Sequence, residues 1–186
     1  MADRQLTAFE HILLGLIRQA PSSGYDLKRI FAVTPMGVYQ PSSGALYPAL
    51  RRLELKGLVQ AQAHQDGNSA RQRRVYELTR TGQAAHLSWL RTPIEPATVA
   101  RDLGLHLMRF VMMEHQLSPA EVLAFLQNLA DELGAFTAQL EQYAAAGELD
   151  NGYARLALDH GLAVHRASLH WAERTLATLS ATPPPP

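Results

Sequence analysis

The sequence predicts a mainly α fold with one small β-hairpin, divided into an N-terminal and a C-terminal domain. Three observations predict it. Residues 6–56 hold short amphipathic stretches separated by turn residues. Residues 58–78 hold two β-leaning runs around Asp66-Gly67, the strongest hairpin signal in the chain. Residues 122–179 carry apolar side chains at alternating four- and three-residue steps, the spacing of a coiled-coil seam.

Composition sets the bounds. The chain has 186 residues, 47% of them apolar, which suffices for one large or two small packed domains. It has no cysteine, which excludes disulfides, thiolate zinc sites and cysteine nucleophiles, and a cytoplasmic location is expected. No apolar run approaches the roughly 20 residues of a membrane span, so no membrane partner is expected. The N-terminus is interrupted by Asp3, Arg4, Glu10 and His11 and does not read as a signal peptide. The net charge is zero, yet residues 1–90 hold 11 Lys+Arg against 6 Asp+Glu, and residues 91–186 hold 6 against 11. A basic half joined to an acidic half suggests that only the first meets a polyanion.

The first helix is expected over Leu6 to Gln19, with Phe9, Ile12, Leu13, Leu16 and Ile17 on its apolar face. Ala20-Pro21-Ser22-Ser23-Gly24 ends it, and Ser23 with Asp26 can form a capping box for a second helix from Gly24 to Phe31. After the Thr34-Pro35-Met36-Gly37 loop, the stretch Ser42 to Lys56 predicts a third helix. Leu46, Leu50 and Leu53 give it a core face; Tyr47, Pro48, Arg51 and Arg52 lie opposite. Pro48 is tolerated there because it lies near the helix start. Gly57 marks the stop.

Leu58 to Gln62 and Arg71 to Leu78 are the two strands of the hairpin. Three helices followed by a hairpin with a basic return strand make a winged helix-turn-helix. Such a hairpin brings Arg71, Arg73 and Arg74 beside a nucleic-acid backbone, where arginines supply affinity and salt dependence; a plain solvated hairpin is the alternative. Thr79 can cap a fourth helix through Ala84, Ala85, Leu87 and Leu90 to Arg91. The expected division is a DNA-binding domain over residues 1–91, a proline-containing linker over 92–98, a helical dimerisation domain over 99–182 and a proline tail over 183–186.

Beyond the linker a helix is expected over Val99 to His115, with Leu103, Leu107, Phe110 and Val111 on one side. Ser118-Pro119-Ala120-Glu121 is a helix start with cap, proline and capping-box glutamate. Its seam is Val122, Leu126, Leu129, Leu133, Phe136, Leu140 and Tyr143, ended by Gly147. A last helix capped by Asp150 repeats the spacing through Leu158, Leu162, His165, Leu169, Ala172, Leu176 and Leu179. Dimerisation is expected through Val122, Leu126, Leu129, Leu133, Phe136, Leu140, Leu162, Leu169 and Leu176. An antiparallel pair within the chain satisfies part of each seam, and a second copy is the expected source of the rest.

Gly24-Tyr25-Asp26-Leu27-Lys28, then Ser43-Gly44-Ala45-Leu46-Tyr47-Pro48-Ala49-Leu50-Arg51-Arg52-Leu53-Glu54, Lys56-Gly57-Leu58-Val59 and Arg74-Val75-Tyr76-Glu77-Leu78-Thr79-Arg80-Thr81-Gly82 closely resemble the PadR family of winged-helix transcriptional regulators. The resemblance covers residues 6–90; the acidic half resembles the larger C-terminal domain of one subfamily in length and heptad character. It implies a homodimeric repressor on a near-palindromic operator in double-stranded DNA, released by a small aromatic or drug-like effector. It places Ser42, Ser43, Tyr47, Pro48 and Arg51 on the DNA-facing side of the recognition helix and Arg71, Arg73 and Arg74 along phosphates. Lys28 is a further phosphate candidate, and Tyr25 is expected to pack between helices.

Trp89, Arg109 and Trp171 are candidate ligand residues, since an arginine beside an aromatic ring can hold an aromatic carboxylate; core anchoring of the tryptophans is the alternative. A metal-sensing regulator is a rival reading. His160, His165 and His170 stand five apart, about 140° around a helix, and do not share a face, so no metal is expected. A protein-interaction module that lacks specific DNA binding is the other alternative. The chain has no glycine-rich phosphate loop and no nucleophile elbow, so neither an enzyme nor a cofactor is expected.

Overall fold

The computed structural model describes residues 5–33, 43–64, 73–147 and 151–181. It is mainly helical with one small antiparallel sheet, and the chain forms two compact units, Met1–Leu90 and Arg91–Pro186.

In the first unit α1 spans Ala8–Gln19. Thr7 caps it and Glu10 completes a capping box. Ser22–Ser23 forms a two-residue strand, β1, and α2 follows at Gly24–Val33. The Ser23–Asp26 box is present: the Ser23 hydroxyl donates to Asp26 Oδ2 at 2.6 Å and accepts from the Asp26 amide. The helix α3 runs Ser43–Leu55, with Leu46, Leu50 and Leu53 fully buried. Burial of three leucines at helical spacing fixes which face α3 shows to solvent; truncating any one costs about 2–5 kcal/mol.

Strands β2 (Val59–His64) and β3 (Arg73–Leu78) pair antiparallel, with Ala61 opposite Tyr76 and Ala63 opposite Arg74. The sheet has three strands rather than two. β1 lies on the other side of β3, Ser22 opposite Tyr76 and Ser23 opposite Val75, giving the order β1-β3-β2. The expected tip around Asp66-Gly67 lies outside the described residues.

Thr79 precedes α4 (Arg80–Arg91) and accepts a hydrogen bond from the Gly82 amide. Its hydroxyl also reaches the Gly57 carbonyl at 2.7 Å, tying α4 to the end of α3. At Gly82 only a hydrogen fits: a Cβ would stand 2.0 Å from the Leu58 carbonyl oxygen. The inward face of α4 is Gly82, His86 and Leu90, while Ala84 is exposed and Leu87 half-buried. Burial pushes the His86 imidazole down to about 4, against a hydrogen bond to the His11 backbone; Arg18 lowers it further.

In the second unit the expected helix Val99–His115 is two pieces, α5 (Pro96–Val99) and α6 (Leu103–Met112). The buried side of α6 is His106, Met108, Arg109 and Met112, whereas Leu107 and Val111 are exposed. The segment 92–98 is built into this unit: Ile94 is buried and its amide donates to Asn128 Oδ1 at 2.8 Å. His106 shares a 2.9 Å hydrogen bond with Thr98 Oγ1. Burial first, then Arg109, lowers its pKa to about 4.

The helices α7 (Pro119–Ala145) and α8 (Gly152–Ala181) form an antiparallel hairpin. The Ser118–Glu121 capping box and Pro119 start α7 as the sequence predicts. The box and Arg91, 2.7 Å away, hold the Glu121 carboxyl down to about 2, Arg91 being the larger cause. At the head of α8 it is Asn151 Oδ1 that accepts from the Tyr153 amide; Asp150 lies outside the described residues. Phe136 meets His165 edge to face at 4.8 Å, and Glu141 pairs with Arg166 at 2.7 Å.

This hairpin is the expected antiparallel pair within the chain, and it covers part of each seam. Leu126, Leu129, Leu133 and Leu162 are sealed between the chain's own helices, and Val122, Phe136, Leu140, Leu169 and Leu176 are half-buried. A heptad stripe packs against a facing helix, and the other helix of the hairpin faces this one.

Candidate nucleic-acid interface

The candidate surface is a groove of about 1000 Å³ within the first unit, between α2, the outer side of α3 and β3. Ser23 lines it from β1, Gly24 and Tyr25 from the start of α2; Tyr47, Arg51, Glu54 and Leu55 from α3; Arg73, Arg74 and Tyr76 from β3. Three tyrosines and three arginines converge on one concave surface, the chemistry that stacks on and neutralises a polyanion.

Each side chain has a local cause. The inner face of α3 is locked by leucine, so Tyr47, 51% exposed, and Arg51 are held outward. Gly24 lets the Tyr47 ring lie against the start of α2, since a Cβ there would stand 2.6 Å from Tyr47 Cε1. Pro48 is exposed but sits in the second turn of α3. Its missing N–H would have met the carbonyl of Gly44, an exposed residue in the first turn. Arg52, expected on the outer face, instead bonds the buried Glu10 carboxylate at 2.7 Å. Burial pushes Glu10 up, but the Thr7 amide, Arg52 and the Thr7 hydroxyl outweigh it and hold the carboxyl below its usual range.

Tyr25 does not pack between helices. It is 62% exposed, and the Arg73 guanidinium lies 5.9 Å from its ring centroid. Sequence reading missed this residue because a tyrosine at the second position of an amphipathic helix looks like core. Asp26 beneath it is held low by the Ser23 hydroxyl, against burial, with the Ser23 amide, Arg73 and Arg29 adding to the effect.

The two wing arginines differ. Arg74 Nη2 donates to both carboxylate oxygens of Glu54, at 2.5 and 2.6 Å, and the guanidinium lies 5.8 Å from the Tyr76 ring. The Glu54 hydrogen bond raises the Arg74 pKa. Burial raises that of Tyr76, with Arg74 opposing. Lys28 is exposed on α2 and does not line the groove. Ser43 opens α3, while Ser42 and Arg71 lie outside the described residues.

The candidate ligand residues divide. Trp89 belongs to the first unit, stacked on His11 at 4.9 Å and near His86 at 5.8 Å. Arg109 and Trp171 belong to the second. Arg109 is buried, 5.1 Å from the Phe125 ring centroid, and donates to the Thr92 carbonyl; burial lowers its pKa to about 10. Its guanidinium lies in the unit's interior. Trp171 meets Phe110 edge to face at 5.5 Å. Among the described residues no group of three His, Cys, Asp or Glu side chains is placed to hold a metal ion. No described helix is long and apolar enough to cross a membrane.

Residues 13–87 match the family described as "Transcriptional regulator PadR-like family", and residues 107–180 match "Virulence activator alpha C-term". No curated protein matches the chain. Bacillus subtilis PadR in complex with operator DNA is 22% identical, with a TM-score of 0.46, over 93% of this chain and 99% of that one. The PadR-like transcriptional regulator BC1756 from Bacillus cereus is 22% identical, with a TM-score of 0.43, over 96% and 99%. The Vibrio cholerae virulence activator AphA is 24% identical, with a TM-score of 0.40, over 92% and 98%. The family comprises transcriptional regulators and not enzymes. The segment that builds the groove is thus a PadR-like transcriptional-regulator segment, residues 13–87.

Proposed function

We propose that the chain is a homodimeric, sequence-specific DNA-binding repressor. One observation carries the reading. The outer side of α3 presents Tyr47, Pro48 and Arg51 over a fully buried leucine face, beside an arginine-bearing strand and an open groove. A helix locked from behind and flanked by cations can enter a major groove while the wing follows the backbone. Residues 1–91 then form the reading domain, 92–98 the connection and 99–182 the dimerisation domain. Lys28, Arg51, Arg71 and Arg73 neutralise phosphates, and Ser42, Ser43, Tyr47 and Pro48 meet the operator at the helix start. Few of these side chains are long, so sequence-dependent DNA shape contributes to the choice of site.

The second copy is placed on the outer side of α8. Tyr153, Leu156, His160, Val164, Ala167 and Trp171 fall within about 80° of one another around that helix. All but Trp171 are exposed. This outward stripe has the seam spacing that the inward stripe spends within the chain. Two-fold pairing there sets two reading heads for the half-sites of a near-palindrome.

The test is binding of the purified protein to duplex from its own upstream region, beside a shuffled duplex, at several salt concentrations. Much tighter binding of the upstream duplex by a dimer supports the reading; equal weak binding of both overturns it. A promoter fusion reads repression, and release of bound duplex by aromatic acids or planar drugs reads the effector.

A further inference from the structure

We propose that Glu54 and Arg74 form a clasp that fixes the wing against the recognition helix, so that Arg74 acts in DNA recognition as a positioning residue and not as a phosphate contact. This deepens the DNA-binding reading and rests on it. The Arg74 guanidinium reaches both oxygens of Glu54, a residue two turns beyond Tyr47 on α3. Tyr76, on the same side of β3 as Arg74, lies 5.8 Å from that guanidinium and is itself buried. The ion pair therefore joins α3 to the central strand of the sheet on the exposed side of the groove, between the two elements that must keep register on a duplex.

Charge and geometry separate this role from a phosphate contact. A guanidinium engaged by a carboxylate carries little net charge toward a polyanion, and a phosphate must displace Glu54 to take its place. A lysine keeps the charge, but its chain ends one bond short of Nη2, so from the same backbone position it cannot reach both oxygens. Neighbouring Arg73 lies over the Tyr25 ring, so the strand's two arginines are held by different elements.

The experiment uses the full chain and the variants Arg74→Lys, Arg74→Met, Glu54→Gln and the exchange Glu54→Arg/Arg74→Glu. For each, affinity for specific and shuffled duplex is measured against salt, and hydrogen exchange of the β2 and β3 amides is measured without DNA. Loss of one phosphate contact flattens the slope of log affinity against log salt by about 0.9.

The clasp predicts that Arg74→Lys and Arg74→Met behave alike, with the slope unchanged, specific affinity down about tenfold and faster strand exchange. Glu54→Gln shares this phenotype and the exchanged pair restores both readouts. The proposal is overturned if Arg74→Met flattens the slope while Arg74→Lys does not, or if Glu54→Gln tightens both duplexes. Should the wild-type chain bind neither duplex, the DNA reading fails. Strand exchange then still decides the clasp, which falls if Glu54→Gln leaves exchange unaltered.

Discussion

Arg52 Nε lies 2.7 Å from the Glu10 carboxylate, joining α3 to α1 across 42 residues of sequence. Glu10 is 3% exposed, so the pair is buried at the acid end and half-open at the base end. Removing the arginine leaves a desolvated carboxylate with only its capping partners. We expect Arg52→Met to destabilise the first unit by about 1–3 kcal/mol, below the full cost of breaking a buried pair because Arg52 is solvated. Urea unfolding measures it. The Glu10 carboxyl is held below its unfolded value, so its stabilisation is complete above the ordinary carboxylate range and disappears as pH falls through the lowered value.

Two buried histidines set an earlier acid limit. His86 and His106 both have pKa values near 4 where the unfolded chain has 6.5. Each binds its proton more readily unfolded, so the stability each contributes is complete above pH 6.5 and lost as pH falls toward 4. The slope is about 1.4 kcal/mol per pH unit for each group. Urea midpoints from pH 7 to pH 4 should fall before most carboxylates titrate. His86→Gln should flatten the first unit's share of that fall, and an unchanged profile would refute the assignment.

Gly24 and Tyr47 form a steric pair. Gly24→Ala places a methyl 2.6 Å from the Tyr47 ring and must turn the ring away. Operator affinity should fall by roughly tenfold with little change in shuffled-duplex binding, because base-side contacts and not phosphate contacts are moved. In a Tyr47→Ala background the same change should add little, since the clash is gone. Additive losses in the double variant would show that the Gly24 change does not act through the Tyr47 ring.

The outward stripe of α8 predicts the dimer contact. Leu156→Glu adds a charge to an exposed position, 64% open in the single chain, and should leave the α7–α8 hairpin folded. It should shift the protein toward monomer by at least tenfold in dissociation constant, read by sedimentation. Operator binding should weaken in parallel, because two half-sites then bind independently. A dimer of unchanged strength would move the contact elsewhere.

Periodic features were legible in sequence and paired polar ones were not. Leu46, Leu50 and Leu53 announce their face by spacing alone, and Ser118, Glu121 and Thr79 announce helix starts because capping chemistry is local. The α6 face was misread because His106 and Arg109 point inward while Leu107 and Val111 point out, reversing the apolar rule. Glu10–Arg52 and Glu54–Arg74 join residues far apart in sequence, and no local pattern marks such pairs. The seams of α7 and α8 were identified correctly, but a heptad stripe does not say whether its partner is its own hairpin or another chain.

The two-residue strand β1 has a consequence for how the chain survives at high concentration. β3 carries the sheet's strongest β formers, Val75 and Tyr76, and both residues are paired on both sides, by β1 and by β2. A strand with an open edge is a template for strand addition by a second chain. Ser22 and Ser23 close that edge with the smallest piece of backbone that can do so. A loop change that pulled them away would open a route to aggregation before it weakened the helices.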